Sequence, residues 1–191
     1  MTVSRREALK ALATGIGSAS AWPLLSESAA EAFAELQATN APPKPAFLTA
    51  AQYATVDALT ETIIPEDDHS PGARAARVAD YIDLLLSESD AATRKTWTWG
   101  LSEIDAVSRR QFKAPYTKLS ADQQVRVLSD VAKNELNPKT DLDWFFKTTK
   151  DATIRGYYTS EIGIHKELEY KGNVFLKEFV GCTHPEHGYK P

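Results

Sequence analysis

The 191-residue sequence holds a single cysteine, Cys182, so no disulfide can close within the chain. It has no run of about twenty apolar residues, the length a helix needs to cross a bilayer. Base is not in excess, and the net charge is −4. Nucleic acid selects basic faces because phosphate neutralisation drives that binding, so this partner class is excluded. Signatures of catalysis are missing too. No G-x-S-x-G, H-E-x-x-H, P-loop or G-x-G-x-x-G occurs, so no catalytic residue is assigned and no cofactor is implied in this chain. A c-type haem attachment needs a second cysteine. No segment alternates apolar and polar residues between turn dipeptides, which argues against a sheet.

What is present suits one helical body. Hydrophobic residues make up 42% of the chain and charged residues 25%, enough for one good core in an ordinary globular composition. The first residues stand apart. Ser4-Arg5-Arg6-Glu7-Ala8-Leu9-Lys10 precedes a stretch from Ala11 to Ser26 that carries no charge and is rich in Ala, Gly and Ser. A charged segment followed by a modest apolar one is the layout of an export signal. The paired Arg5 and Arg6 give it the look of a twin-arginine signal, although Ala8 stands where a larger apolar residue is commoner. An amphipathic N-terminal helix is the alternative. Small-x-small sites that would permit cleavage include Ala19-Ser20-Ala21 and Ala30-Glu31-Ala32. The chain is therefore divided into a signal region at 1–32, a Pro-rich linker at 33–46 around Ala41-Pro42-Pro43-Lys44-Pro45, and a helical domain at 47–191.

Helical signals recur after the linker. Thr49-Ala50-Ala51-Gln52 reads as a capping box, with Tyr53, Val56, Leu59, Thr60 and Ile63 on one face and Pro65 as the stop. Glu66 to Gly72 reads as a loop. From Ala73 a second helix is expected to turn Val78, Tyr81, Ile82 and Leu85 inward. A third spans about Ala91 to Phe112, with Trp97, Leu101, Ile104 and Ser108 along its stripe. Ser120-Ala121-Asp122-Gln123 opens a fourth, with Val125, Leu128 and Val131 inside. Thr140 or Asp141 opens a fifth, in which Leu142, Phe145, Phe146, Thr149 and Thr153 lead towards Tyr157. The fold class is all-α: a single compact domain of about five to seven helices.

Two clusters carry residue types used in chemistry. Near the C-terminus, Gly181-Cys182-Thr183-His184-Pro185-Glu186-His187-Gly188 offers Cys182, His184 and His187 as metal ligands and Glu186 as a carboxylate. The spacing is wrong for the common zinc modules, and a solvated tail is the simpler reading. In an oxidising compartment an unpaired Cys182 is either a free thiol or the partner of another chain. The loop Glu66-Asp67-Asp68-His69-Ser70-Pro71-Gly72 lacks the alternating ligands and closing Glu of a calcium loop and reads as backbone chemistry. Ser160, with no evident base, reads as a helix end. Trp97 and Trp99 lie two apart on one helix, so one of them must face solvent or an interface.

Three segments together carry a family likeness. They are Thr62 to Ala73 with Val78 to Asp83, then Tyr157 to Gly163 with Leu168 to Asn173, and last Gly181 to His187. In order and spacing the chain resembles the gluconate 2-dehydrogenase subunit 3 (small, gamma) family, from about Phe47 to Gly188. The resemblance implies a non-catalytic subunit whose partner is a FAD-dependent flavoprotein of the glucose-methanol-choline type, often with a cytochrome c (haem c) subunit. It implies export by the twin-arginine translocase to the periplasm, with the folded flavoprotein escorted by this chain, and membrane association only through the complex. Cys182 then becomes a candidate for an intersubunit disulfide. The alternative is a stand-alone exported metal-binding or redox protein using the C-terminal Cys/His cluster.

Overall fold

In the computed structural model, residues 25–39 and 42–172 are described. Arg5, Arg6, Cys182, His184 and His187 lie outside them. The described residues form six α-helices and no strand: α1 (Glu27–Ala38), α2 (Ala50–Ile63), α3 (Val78–Glu88), α4 (Ala91–Phe112), α5 (Ala121–Val131) and α6 (Asp141–Tyr158). None is long and apolar enough to cross a membrane. The all-helical expectation holds.

Local chemistry sets most of the helix starts. The Thr49/Gln52 and Ser120/Gln123 capping boxes both form, and Thr140 makes a third with Asp143. In each, a side-chain oxygen takes an orphan N–H that the first helical turn leaves unpaired. Asp90 caps α4 by accepting from Thr93 N–H at 2.8 Å, and α4 spans the expected Ala91–Phe112. Asp143 also accepts the N–H groups of Lys139 (2.9 Å) and Thr140 (3.0 Å). Those bonds, Lys139 first, hold its carboxyl below the usual carboxylate range.

α6 is the hub, packing against α2, α3, α4 and α5. Phe145, 1% exposed, meets fully buried Trp97 edge to face at 5.5 Å, a geometry favoured by the ring quadrupoles. Gly100 makes this approach possible, because a Cβ there would run into the Phe145 ring. The expected stripe of α4 is buried throughout at Trp97, Leu101, Ile104 and Ser108, and Trp99 is exposed.

Three details differ from the sequence reading. The helix expected from Ala73 starts at Val78, because residues 73–77 form turns and Arg77 is left-handed at φ 56°. Val78 N–H reaches back to Ala73 O at 3.0 Å, and the Glu61 carboxylate takes Arg74 N–H at 2.7 Å. These bonds hold a turn where helical propensity alone would continue a helix. On α5, Val125 is 52% exposed and Val127 fully buried. The inner face runs through positions 124, 127, 128 and 131, with Gln124 donating from it to Tyr116 O at 3.1 Å. The third difference lies at the N-terminal side. Residues 27–38, assigned to the end of a signal region and the start of a linker, are α1, capped by Ser26. Phe33 of α1 is 5% exposed and packs edge-on against Tyr81 at 5.4 Å.

The remaining linker is pinned rather than loose. Asp83 on α3, 3% exposed, accepts three successive N–H groups: Ala46 (2.5 Å), Phe47 (3.1 Å) and Leu48 (2.7 Å). The Arg94 guanidinium lies 5.2 Å above the Phe47 ring. One turn earlier on α3, Asp80 pairs with Arg77 at 2.8 Å, and Arg77 also donates to Thr39 O at 3.0 Å. Burial, then the nearby Asp80 carboxylate, pushes the Tyr53 phenol well above its ordinary value.

Candidate functional site

The loop 66–72 and the segment after α6 are far apart in sequence and meet in the fold. Asp67 folds the loop on itself, accepting N–H from His69 and Ser70, each at 2.9 Å. This is the Asx turn that an Asp in a loop favours. The N–H of Ser70, then that of His69, draws the Asp67 pKa down. Tyr157, at the end of α6 and 1% exposed, locks the loop from below. Its hydroxyl donates to Pro71 O at 2.7 Å and shares a 2.7 Å bond with the Ser70 hydroxyl. The loop is therefore structural, as its residue types suggest.

Beyond α6 the chain changes geometry. Ser160 is fully buried, bonded to Tyr157 O (2.6 Å) and to Gly163 N–H (3.0 Å). It ends the helix, as expected. Gly163–Glu167 is a π-helical turn, and a Cβ on Gly163 would collide with the Tyr157 carbonyl oxygen. Only glycine fits there. Glu169 is left-handed at φ 48°, and Leu168 and Tyr170 are exposed. Residues 163–172 thus form a strap that buries little apolar surface.

Two imidazoles hold the strap. His69 Nε2 lies 3.1 Å from Glu167 O, and His165 Nδ1 lies 3.3 Å from Tyr170 O. A carbonyl only accepts, so each nitrogen donates. Between them opens a 520 Å³ cleft lined by His69, His165, Lys166, Glu169, Tyr170 and Lys171. Among the described residues no three His, Cys, Asp or Glu side chains gather as a metal-binding group. The proposed ligands Cys182, His184 and His187 fall outside those residues. A second exposed feature lies on the opposite chemistry. Trp99 on α4 and Trp144 on α6 line a 390 Å³ hollow with Lys95, Thr96 and Asp141.

Two of the segments that carry the family likeness are therefore neighbours: 62–73 and 157–172 share the Tyr157 hydroxyl and the His69 contact. The family model for gluconate 2-dehydrogenase subunit 3 matches residues 50–174, from the first residue of α2 through the strap. The chain belongs to that family. No curated protein and no solved structure matches it. Subunit 3 membership is consistent with an accessory subunit of a dehydrogenase complex.

Sequence reasoning missed Asp83, Asp143 and the pairing of His69 with Glu167. Asp143 had a local signal, since it lies three residues after Thr140 in the capping-box arrangement. Asp83 and His69 had none, because their partners are 35 to 37 and 98 residues away.

Proposed function

We propose that this chain is the non-catalytic small subunit of a periplasmic sugar or sugar-acid dehydrogenase, escorting and stabilising a FAD-dependent flavoprotein of the glucose-methanol-choline type. The observation that carries the proposal is the subunit 3 match from α2 through the strap, joined to the Arg5-Arg6 pair in the same chain. The FAD, and the catalysis, belong to the partner, and a cytochrome c subunit would complete electron transfer. Cys182, the lone cysteine, is suited to an intersubunit disulfide, which would turn dissociation into an intramolecular event and raise the partner's effective concentration.

Co-expression with a flavoprotein dehydrogenase of the glucose-methanol-choline type encoded beside this chain tests the reading. The two chains should co-purify from the periplasm with a flavin absorbance spectrum. Replacing Arg5 and Arg6 with lysine should leave both in the cytoplasm. A flavoprotein that is exported normally beside that variant would end the escort role. Cys182→Ser should abolish a larger species on non-reducing electrophoresis, and unchanged migration would remove the disulfide.

A further inference from the structure

The body of the molecule is held by apolar packing, but the strap 163–172 is not. Leu168 and Tyr170 are 57% and 47% exposed, and Glu169 sits in a backbone region that costs a non-glycine residue energy. Within the strap, Leu168 N–H bonds to Gly163 O and Tyr170 N–H to Ile164 O, both at 3.0 Å. These contacts shape the strap without tying it to the loop beneath. Among the described residues, His69 ties the strap to the loop: it reaches Glu167 through the carbonyl at 3.1 Å and approaches the Glu167 carboxylate at 3.9 Å.

We propose that His69 is a pH-sensitive latch: its protonated imidazole fastens the strap 163–172 to the loop 66–72, and loss of the proton loosens it. The charged surroundings favour this reading. From its own loop His69 faces Asp67, and from the strap it faces Glu167 and Glu169. Lys166 and Lys171 border the same cleft from the strap and oppose the added charge, His165 lines it beside them, and α6 presents the Tyr157 phenol. The acceptors prevail: the bond to Glu167 O, then the Glu167 carboxylate, raises the pKa of His69 above its ordinary 6.5. A neutral imidazole can still donate from Nε2, but it gives up the attraction to three carboxylates. It is also free to carry its proton on Nδ1, which leaves Glu167 O without a donor. The latch acts on the segment from which residues 173–191 continue, so it governs how firmly that segment is anchored to the body.

Amide hydrogen exchange on the full chain reads the latch directly. Protection factors at Leu168 and Tyr170, already corrected for intrinsic exchange, should fall as pH rises from about 5.5 to about 8. The imidazole shifts of His69 should titrate over the same range. His69→Gln keeps an N–H donor but cannot titrate, so it should flatten the profile while core amides on α4 and α6 keep their protection. Glu167→Gln should shift the His69 titration down. Protection that does not vary with pH in the wild type overturns the proposal. So does a profile that survives His69→Gln and disappears in His165→Gln, which would make His165 the titrating group.

Discussion

Two segments of this molecule join its helical body without belonging to an α-helix, and they are fastened in opposite ways. Residues 46–48 enter α2 with three N–H groups on the buried carboxylate of Asp83. Residues 163–172 leave α6 with a carbonyl on the exposed imidazole of His69. A buried carboxylate that receives three donors is a fixed anchor, since releasing it strands both the acceptor and the donors. An exposed imidazole is adjustable, because water competes for every bond and its charge changes near neutrality. Entry is locked and exit is tunable.

Removing Asp83 is the strongest way to break the contrast. Asp83→Ala leaves three backbone N–H groups without their acceptor, that of Leu48 buried and those of Ala46 and Phe47 partly so, and should cost about 3 kcal/mol on the usual penalty for unsatisfied donors. That is a large part of a typical domain's stability. Urea denaturation should show a lower midpoint with an unchanged slope. Asp83→Asn retains one carbonyl acceptor and should lose less. If Asp83→Ala unfolds at the wild-type midpoint, the anchor is decorative and the contrast fails.

Tyr157 tests whether both fastenings rest on the same floor. Its hydroxyl bonds Pro71 O and the Ser70 hydroxyl, so it supports the loop that carries His69 and leaves the Asp83 anchor untouched. Tyr157→Phe should cost about 1 to 2 kcal/mol, the worth of one or two buried hydrogen bonds. It should also loosen the strap in hydrogen exchange. The amides of Ala46 to Leu48 should keep their protection apart from the global loss. Equal local loosening at both segments would mean that they are one cooperative unit.

The same contrast explains what could be read from sequence. α2, α4, α5 and α6 were legible because their signals are local. Thr49 and Gln52, Ser120 and Gln123, and the Trp97–Leu101–Ile104–Ser108 spacing all act within one to four turns. The start of α3 was not, because Ala73 to Arg77 are acceptable helix formers overruled by Glu61 and by the left-handed turn at Arg77. α1 lay in a stretch whose small residues also suit an export leader, and its packing shows only in the fold, where Phe33 meets Tyr81 and Gln37 accepts the Glu161 N–H. The loop 66–72 was recognisable as a turn from its composition. Its link to Glu167 was invisible, since pattern reasoning has no reach over 98 positions. The family likeness pointed to both segments without saying that they touch.

The smallest effect discriminates most finely, because the two sides of the strap's fastening titrate in opposite directions. Asp67 shapes the loop as a carboxylate whose pKa is held below its ordinary 3.8. Its contribution is complete above that value and is lost as pH falls through the depressed one. His69 is raised above 6.5, so its contribution is complete below 6.5 and is lost as pH rises through the elevated one. The strap should be held best between these limits, in mildly acid solution, and should loosen on both sides. Asp67→Asn should weaken the acid limb and move the alkaline limb slightly down, since Asp67 is one of the carboxylates that favour protonated His69, and His69→Gln should remove the alkaline limb. The global urea midpoint should scarcely move in either variant, because exposed polar groups contribute little to overall stability. The protection of Ala46 to Leu48, read in the same exchange experiment, should follow neither limb, and a shared bell-shaped profile would show that the entry is as adjustable as the exit.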